Sequence, residues 1–157
     1  MIDVSDEIEI YHDFSRISEI LATNIFDINN LKHPLRESAF IELIICLRDL
    51  MAKCVKYDKR ITFVDNVTKC NDTGEKTKDI TDVITHIRDA ACHINSFKQV
   101  SPPLRIMFSS ILNDDDIVFC YGRHRIHFKG HILRAFKEAQ TSLLPLVKES
   151  PLFRDKI

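Results

Sequence analysis

Apolar side chains recur at helical spacing through most of this chain of 157 residues. The clearest stripe consists of Ile80, Val83, Ile84, Ile87, Ala91 and Ile94. Residues three, four and seven positions apart lie on one side of an α-helix, so the stripe predicts an amphipathic helix that begins near Asp79. Because the chain contains only 3 Gly and 5 Pro, long helices are favoured over glycine-rich repeats or linkers.

Two further helices are predicted before this one. In the first, Ser5 offers an N-cap, and the apolar spacing continues to about residue 27, before the Asn29-Asn30 pair. The second runs from Pro34 to Tyr57 and has apolar residues over most of its circumference. Such a helix is typical of the centre of a bundle. Residues 61–64 are compatible with a short strand.

The last third of the chain has a different pattern. Residues 113–116 form a predicted turn, and two short apolar-rich runs on either side of Gly122 predict a β-hairpin. A final helix begins at about residue 130 and kinks or ends near Pro145. We therefore expect one domain over residues 1–157, mainly α, with about four to five helices and a small β-hairpin in its C-terminal third.

Charge and cysteine content exclude several classes of protein. The formal net charge is −1, so no overall basic field marks the chain as a nucleic-acid binder. The N-terminus is acidic rather than signal-like, and no apolar run is long enough to span a membrane. The 5 Cys lack C-x-x-C spacing, which favours buried thiols in a reducing compartment. We expect a cytoplasmic protein without a membrane partner.

Three chemically competent side chains lie together on the predicted helix after Asp79. Asp89 points away from the apolar stripe, His93 follows one turn later on the same ridge, and Arg88 flanks them. A solvent-exposed helix face commonly carries the same residue types. These three residues are therefore compatible with an ordinary surface as well as with a functional site.

The run from Arg88 to His93 resembles the R-x4-6-H motif of the HEPN superfamily (higher eukaryotes and prokaryotes nucleotide-binding), in which Asn, Asp or His usually follows the arginine. Members are helical bundles of roughly this length, so the resemblance implies a HEPN-like fold for most of the chain. Arg125 and His131 match the same spacing, but Ile126 follows that arginine and the segment crosses from the hairpin into a helix.

The resemblance implies a metal-independent endoribonuclease, a toxin or antiphage-defence effector, in which two motifs meet across a homodimer interface. His93 would transfer protons during attack by a ribose 2′-OH, because imidazole titrates near neutrality. Arg88 would bind the scissile phosphate, and Asp89 would orient His93 or Arg88. The small Ala90-Ala91 step would allow close approach of the second subunit. An antitoxin or other defence protein is a further partner that the analogy implies.

A second group of candidates concerns RNA binding. Residues 117–137 contain five basic residues and no acidic one. The candidates are Arg123, Arg125, Lys129 and Arg134, with Tyr121 as a surface on which bases stack. A solvated face, or a contact surface for an acidic protein, fits the same composition.

No cofactor or metal is expected. The common phosphate-binding, dinucleotide-binding, zincin and hydrolase motifs are absent. Cys120 and nearby histidines invite a zinc interpretation, but an odd separation puts His124 and His127 on opposite faces of a strand. The alternative to an enzyme is a non-catalytic helical module, a degenerate HEPN-like protein that binds a protein partner or a nucleotide.

Overall fold

The computed structural model describes residues 2–65, 77–92, 108–121 and 124–148. Within these ranges the chain is mainly helical. The α-helices are α1 (Val4–Ala22), α2 (Arg36–Lys56), α3 (Ile80–Cys92) and α4 (Arg134–Lys148). An antiparallel sheet has the order β1-β2-β3 and consists of β1 (Ser109–Asn113), β2 (Asp116–Tyr121) and β3 (His124–His127). A 3-10 turn (Ile28–Asn30) follows α1, and a π-helical turn (Phe128–Leu133) leads into α4.

The first helix begins and ends earlier than predicted. Asp3 rather than Ser5 is the N-cap, and its side chain accepts a hydrogen bond from the Ser5 N–H at 3.2 Å. At the other end Asn24 has a φ of 55°, a left-handed conformation that commonly follows the end of a helix. The predicted continuation to residue 27 is therefore wrong: residues 23–26 form turns, and the 3-10 turn begins at Ile28.

The second helix is central, as predicted. It packs against α1, α3 and α4. The fully buried side chains of α2 include Phe40, Leu43, Ile44, Leu47, Leu50, Met51 and Cys54. Phe40 also contacts Phe119 of β2, with ring centroids 4.8 Å apart, so the inner face of the sheet joins the same core as the helices.

A buried arginine fixes the connection between α1 and α2. The Arg36 guanidinium donates hydrogen bonds to the backbone carbonyls of residues 25, 26, 27 and 30, at 2.6–3.4 Å. It also lies 5.8 Å from the centroid of the Phe26 ring. Buried carbonyls need donors when water is excluded, and Arg36 supplies them without a paired carboxylate in the described part of the chain. Burial lowers the pKa of Arg36 below its ordinary value.

On α3, which packs against α2, the stripe residues Ile80, Val83, Ile84 and Ile87 are buried, and this confirms the predicted amphipathic helix. The last residue of the predicted stripe, Ile94, lies outside the described residues. The buried side extends to Ala90, which is fully buried, whereas Ala91 is only partly buried. The expected Ala90-Ala91 step therefore does not present both methyl groups to a second subunit, because Ala90 already contributes to the core.

The hairpin of the C-terminal third is confirmed as β2 and β3, paired from Tyr121 opposite His124. The predicted turn residue Gly122 lies outside the described residues. The turn at residues 113–116 joins β2 to β1, a strand that the sequence did not predict. In α4 the helix continues past Pro145.

Residues 61–64 do not form the predicted strand. The Thr81 hydroxyl donates to the Ile61 carbonyl at 2.7 Å, and the Ile80 N–H donates to the Phe63 carbonyl at 3.1 Å. The first turn of α3 therefore satisfies backbone groups that a strand would have paired with a neighbour.

Candidate functional site

The last turn of α3 brings Arg88 and Asp89 together. Arg88 Nη1 lies 3.2 Å from Asp89 Oδ1, and their side chains are 30% and 26% exposed. Arg88 Nε is shielded from solvent and has no hydrogen-bond partner among the described residues. These two predicted site residues are thus half-buried rather than on an open face.

The third predicted site residue, His93, lies outside the described residues. In the sequence it directly follows Cys92, the last residue of α3. The structure therefore shows two members of the predicted group in contact at the end of a helix whose next residue is the histidine.

An ion-pair network fixes the beginning of α3. Arg60 donates to the Asp79 carboxylate through Nε and Nη2, at 2.8 and 2.9 Å, and to Asp82 at 2.8 Å. Asp79 also accepts from the Asp82 N–H at 3.2 Å, as an N-cap residue does. Burial alone would raise the pKa of Asp82, but the Lys78 N–H and Arg60 outweigh it and lower the pKa. The candidate site therefore lies on a helix whose N-terminus is held in place by hydrogen bonds.

Two histidines, one on α3 that the sequence analysis did not single out and one on β3 that it considered only as a zinc ligand, lie in the contact between these two elements. His86 and His124 are both buried, with ring centroids 6.2 Å apart. The hydroxyl oxygen of Thr77 lies 3.4 Å from His86 Nδ1. Their positions inside the α3–β3 contact distinguish them from Arg88, which reaches the surface.

The predicted RNA-binding residues are dispersed in different surroundings. Arg125 lies on the exposed side of β3, and Arg123 lies outside the described residues. Tyr121 is buried, and its ring lies 6.4 Å from that of Phe108. Base stacking on Tyr121 would require the ring to leave the core, so the structure does not present it as a stacking surface.

Nearby acceptor groups engage two more of these cations. Lys129 Nζ donates to the Asp115 carbonyl at 2.6 Å, and Arg134 pairs with Glu138 at 3.0 Å. The Arg134 guanidinium also lies over the Phe63 ring, 3.9 Å from its centroid. The acid-free run of residues 117–137 is therefore not an acid-free surface.

A buried histidine joins the segment before residue 66 to the start of α4. His131 Nδ1 accepts a hydrogen bond from the His127 N–H at 2.9 Å, and its Nε2 lies 2.6 Å from Asp65 Oδ2. Because a backbone N–H can only donate, Nδ1 carries no proton and Nε2–H donates to Asp65. Burial lowers the pKa of His131, although Asp65 opposes the shift. The sequence pattern gave no signal for this pair.

The described histidines, acidic residues and cysteines offer little support for metal binding or thiol chemistry. Among the residues that the structure describes, no group of three His, Cys, Asp or Glu lies close enough to hold a metal ion. His124 is buried and His127 is partly exposed, in agreement with the predicted opposite faces. Burial raises the pKa of Cys46 and of Cys54 to about 12. Neither thiol is therefore a nucleophile near neutral pH.

Comparison with models of known protein families, with curated proteins and with solved structures finds no match to this chain. Within the described ranges, every helix is too short or too polar to cross a lipid bilayer.

Proposed function

We propose that this protein is a metal-independent endoribonuclease of the HEPN type that cleaves RNA as a homodimer. Arg88 and His93 are the catalytic residues, and Asp89 is a positioning residue. By family analogy the enzyme is a toxin or antiphage-defence effector of the cytoplasm, controlled by an antitoxin or other defence protein. The observation that carries the proposal is the donor edge of Arg88, which makes no hydrogen bond to any residue that the structure describes.

The edge of a guanidinium that is formed by Nε and Nη2 matches the two oxygens of a carboxylate or phosphate. Arg60 uses this edge to bind Asp79. Arg88 instead contacts Asp89 through Nη1. Its Nε–Nη2 edge makes no hydrogen bond within the described part of the chain, even though Nε is shielded from water. A shielded donor without a partner is costly, and an RNA phosphate would satisfy it.

The proposed reaction needs both a base and an acid. A base removes the proton of the ribose 2′-OH, the O2′–P bond forms, and the P–O5′ bond breaks as an acid protonates the leaving oxygen. His93 suits either step, and a second subunit supplies the second histidine. The Arg88 edge neutralises the charge that develops on the phosphate oxygens. The positive charge of Arg125, which is exposed on β3, would attract the RNA backbone.

The experiment is cleavage of a labelled RNA by the purified protein in excess EDTA. We expect products that end in a 2′,3′-cyclic phosphate or its 3′-phosphate hydrolysis product, and no cleavage of DNA of the same sequence. Activity that requires a divalent cation would contradict the mechanism.

The assembly is tested separately. Sedimentation at micromolar concentration is expected to show a homodimer. A monomer with full activity would exclude the shared site. A folded protein that binds RNA or a protein partner but cleaves nothing would identify a non-catalytic helical module instead.

A further inference from the structure

A cavity of about 470 Å³ lies between the α1–α2 connection and the turn that joins β1 to β2. Phe26 and Phe128 line it, and their ring centroids are 5.4 Å apart. Ile28 and Leu112 line it from the two connections and remain 46% and 51% exposed. The volume and the apolar, partly aromatic lining are those of small-molecule sites.

The mouth of this cavity is acidic. Asp114 and Asp115 lie in the β1–β2 turn, are exposed, and line the cavity. Asp27 lines it from the other side, and its carboxylate accepts a hydrogen bond from the Asn29 N–H at 2.9 Å. Lys129 adds one positive charge, but its Nζ donates to the Asp115 carbonyl rather than to a carboxylate. Three carboxylates therefore outweigh one ammonium group.

The three consecutive aspartates of this turn differ in what they do for the fold. Asp116 caps the π-helical turn, since its carboxylate accepts from the N–H groups of Lys129 and Gly130 at 2.8 and 2.9 Å. The carboxylates of Asp114 and Asp115 make no such bond to any described residue. Asp114 has a φ of 51°, which Asn would adopt equally well. Turn geometry therefore explains the backbone but not the two negative charges.

We propose that the cavity binds a cationic amphipathic small molecule. Its aromatic or branched-alkyl body packs on Phe26 and Phe128, and its protonated amine lies at the carboxylates of Asp114 and Asp115. Burial of the exposed Ile28 and Leu112 side chains supplies the apolar part of the affinity. The charge at the mouth selects an amine over a neutral or acidic ligand. This site does not depend on RNA cleavage, so either proposal can fail without the other.

The test uses three probes with one body and different charges: 3-phenylpropylamine, 3-phenylpropan-1-ol and 3-phenylpropanoate. Binding is measured by titration calorimetry and by chemical shifts of the cavity residues. We expect the amine to bind at least about tenfold more tightly than the carboxylate, with the alcohol between them. The preference should shrink as salt rises from about 0.1 M to about 1 M, because exposed charges are screened.

Two variants divide the site into its parts. The double variant Asp114→Asn, Asp115→Asn should lose the preference for the amine while it keeps affinity for the alcohol. Leu112→Gln should weaken all three probes by a similar factor. Asp58→Asn, an exposed acidic residue in the turn after α2 that does not line the cavity, is the matched control and should leave binding unchanged.

These residues are exposed, and thermal unfolding checks that each variant folds. The proposal is wrong if the amine does not bind at about 10 mM. It is equally wrong if the three probes bind alike, or if the charge preference survives in the double variant.

Discussion

Within the described residues, adjacent Arg-Asp pairs occur in similar settings on α2 and on α3. Arg48 Nη1 lies 3.1 Å from Asp49 Oδ1, and Arg88 Nη1 lies 3.2 Å from Asp89 Oδ1. The α2 pair is 37% and 45% exposed, so water reaches its donors. On α3 the pair is more buried, and Arg88 Nε is closed to solvent without a described partner.

The residue five positions after each arginine differs as well. After Arg48 it is Lys53, which pairs with Asp6 and Glu9 of α1 and so belongs to the structure. After Arg88 it is His93, whose side-chain type suits proton transfer near neutral pH. An Arg-Asp pair on a helix is thus not a site in itself. Its burial and the group that follows distinguish the α3 pair.

The largest expected effect is a difference in RNA cleavage between variants of His93 and of Lys53. His93→Ala should reduce RNA cleavage by about 10²–10⁴-fold, the usual contribution of a general acid or base. Lys53→Ala should leave cleavage by the folded protein intact. Rates measured on RNA with both variants shown to be folded check this, and full activity of His93→Ala would remove the histidine from the mechanism.

Lys53→Ala should instead lower the free energy of unfolding. Burial alone would raise the pKa of Asp6, but hydrogen bonds from Lys53, Lys56 and Tyr57 hold it well below its usual range. Removal of Lys53 leaves this buried carboxylate with fewer donors, at a cost of about 1–3 kcal/mol. Urea unfolding at neutral pH measures the loss. An unchanged midpoint would show that the α2 pair is followed by an ordinary surface lysine.

Acid pH should lower the stability of the fold through His131, which lies outside the candidate site. Burial lowers the pKa of His131 in the folded protein relative to an ordinary value of 6.5. The folded state therefore binds fewer protons than the unfolded state. The contribution of neutral His131 to the free energy of unfolding is complete above pH 6.5 and is lost as pH falls from 6.5 towards the folded-state pKa.

Unfolding measured between about pH 7.5 and pH 5 should show this slope, and His131→Gln should reduce it. Equal slopes in the two proteins would assign the acid sensitivity to another group. Variants of the two Arg-Asp pairs are therefore best compared above pH 6.5, where protonation of His131 does not lower stability and so does not affect the measured cleavage rates.

The smallest effect is expected at the two aspartates. Asp89→Asn should reduce cleavage only several-fold, because an amide oxygen still accepts a hydrogen bond from Arg88. Asp49→Asn should not change it. A loss as large as that of His93→Ala would instead assign Asp89 a direct part in proton transfer.

Regular periodicity made much of the fold predictable. The α3 stripe and the apolar circumference of α2 were sufficient to place those helices. The end of α1 was not, because it depends on a left-handed backbone at Asn24 rather than on a change in hydrophobicity. Residues 61–64 looked like a strand because short apolar runs are ambiguous until their backbone partners are known.

Charge patterns along the sequence were a weaker guide to the candidate site. Arg88 and Asp89 were placed on one helix correctly, but their partial burial depends on what packs around α3. The run of residues 117–137 lacks acids, yet Asp115 and Glu138 just beyond it supply acceptors to Lys129 and Arg134. Tyr121 was expected at the surface and is in the core. Packing between elements decides the burial of Arg88, Asp89 and Tyr121, and a linear pattern does not contain it.

The proposed function requires that Arg88 serves the substrate and not the fold. RNA cleavage is compared between Arg88→Ala and Arg48→Ala. Each variant removes the arginine of one Arg-Asp pair, the first on α3 and the second on α2. We expect a loss of cleavage of at least about 10²-fold for Arg88→Ala, unchanged activity for Arg48→Ala, and cooperative unfolding of both variants. Full cleavage by folded Arg88→Ala, or an equal loss in the two variants, would contradict it.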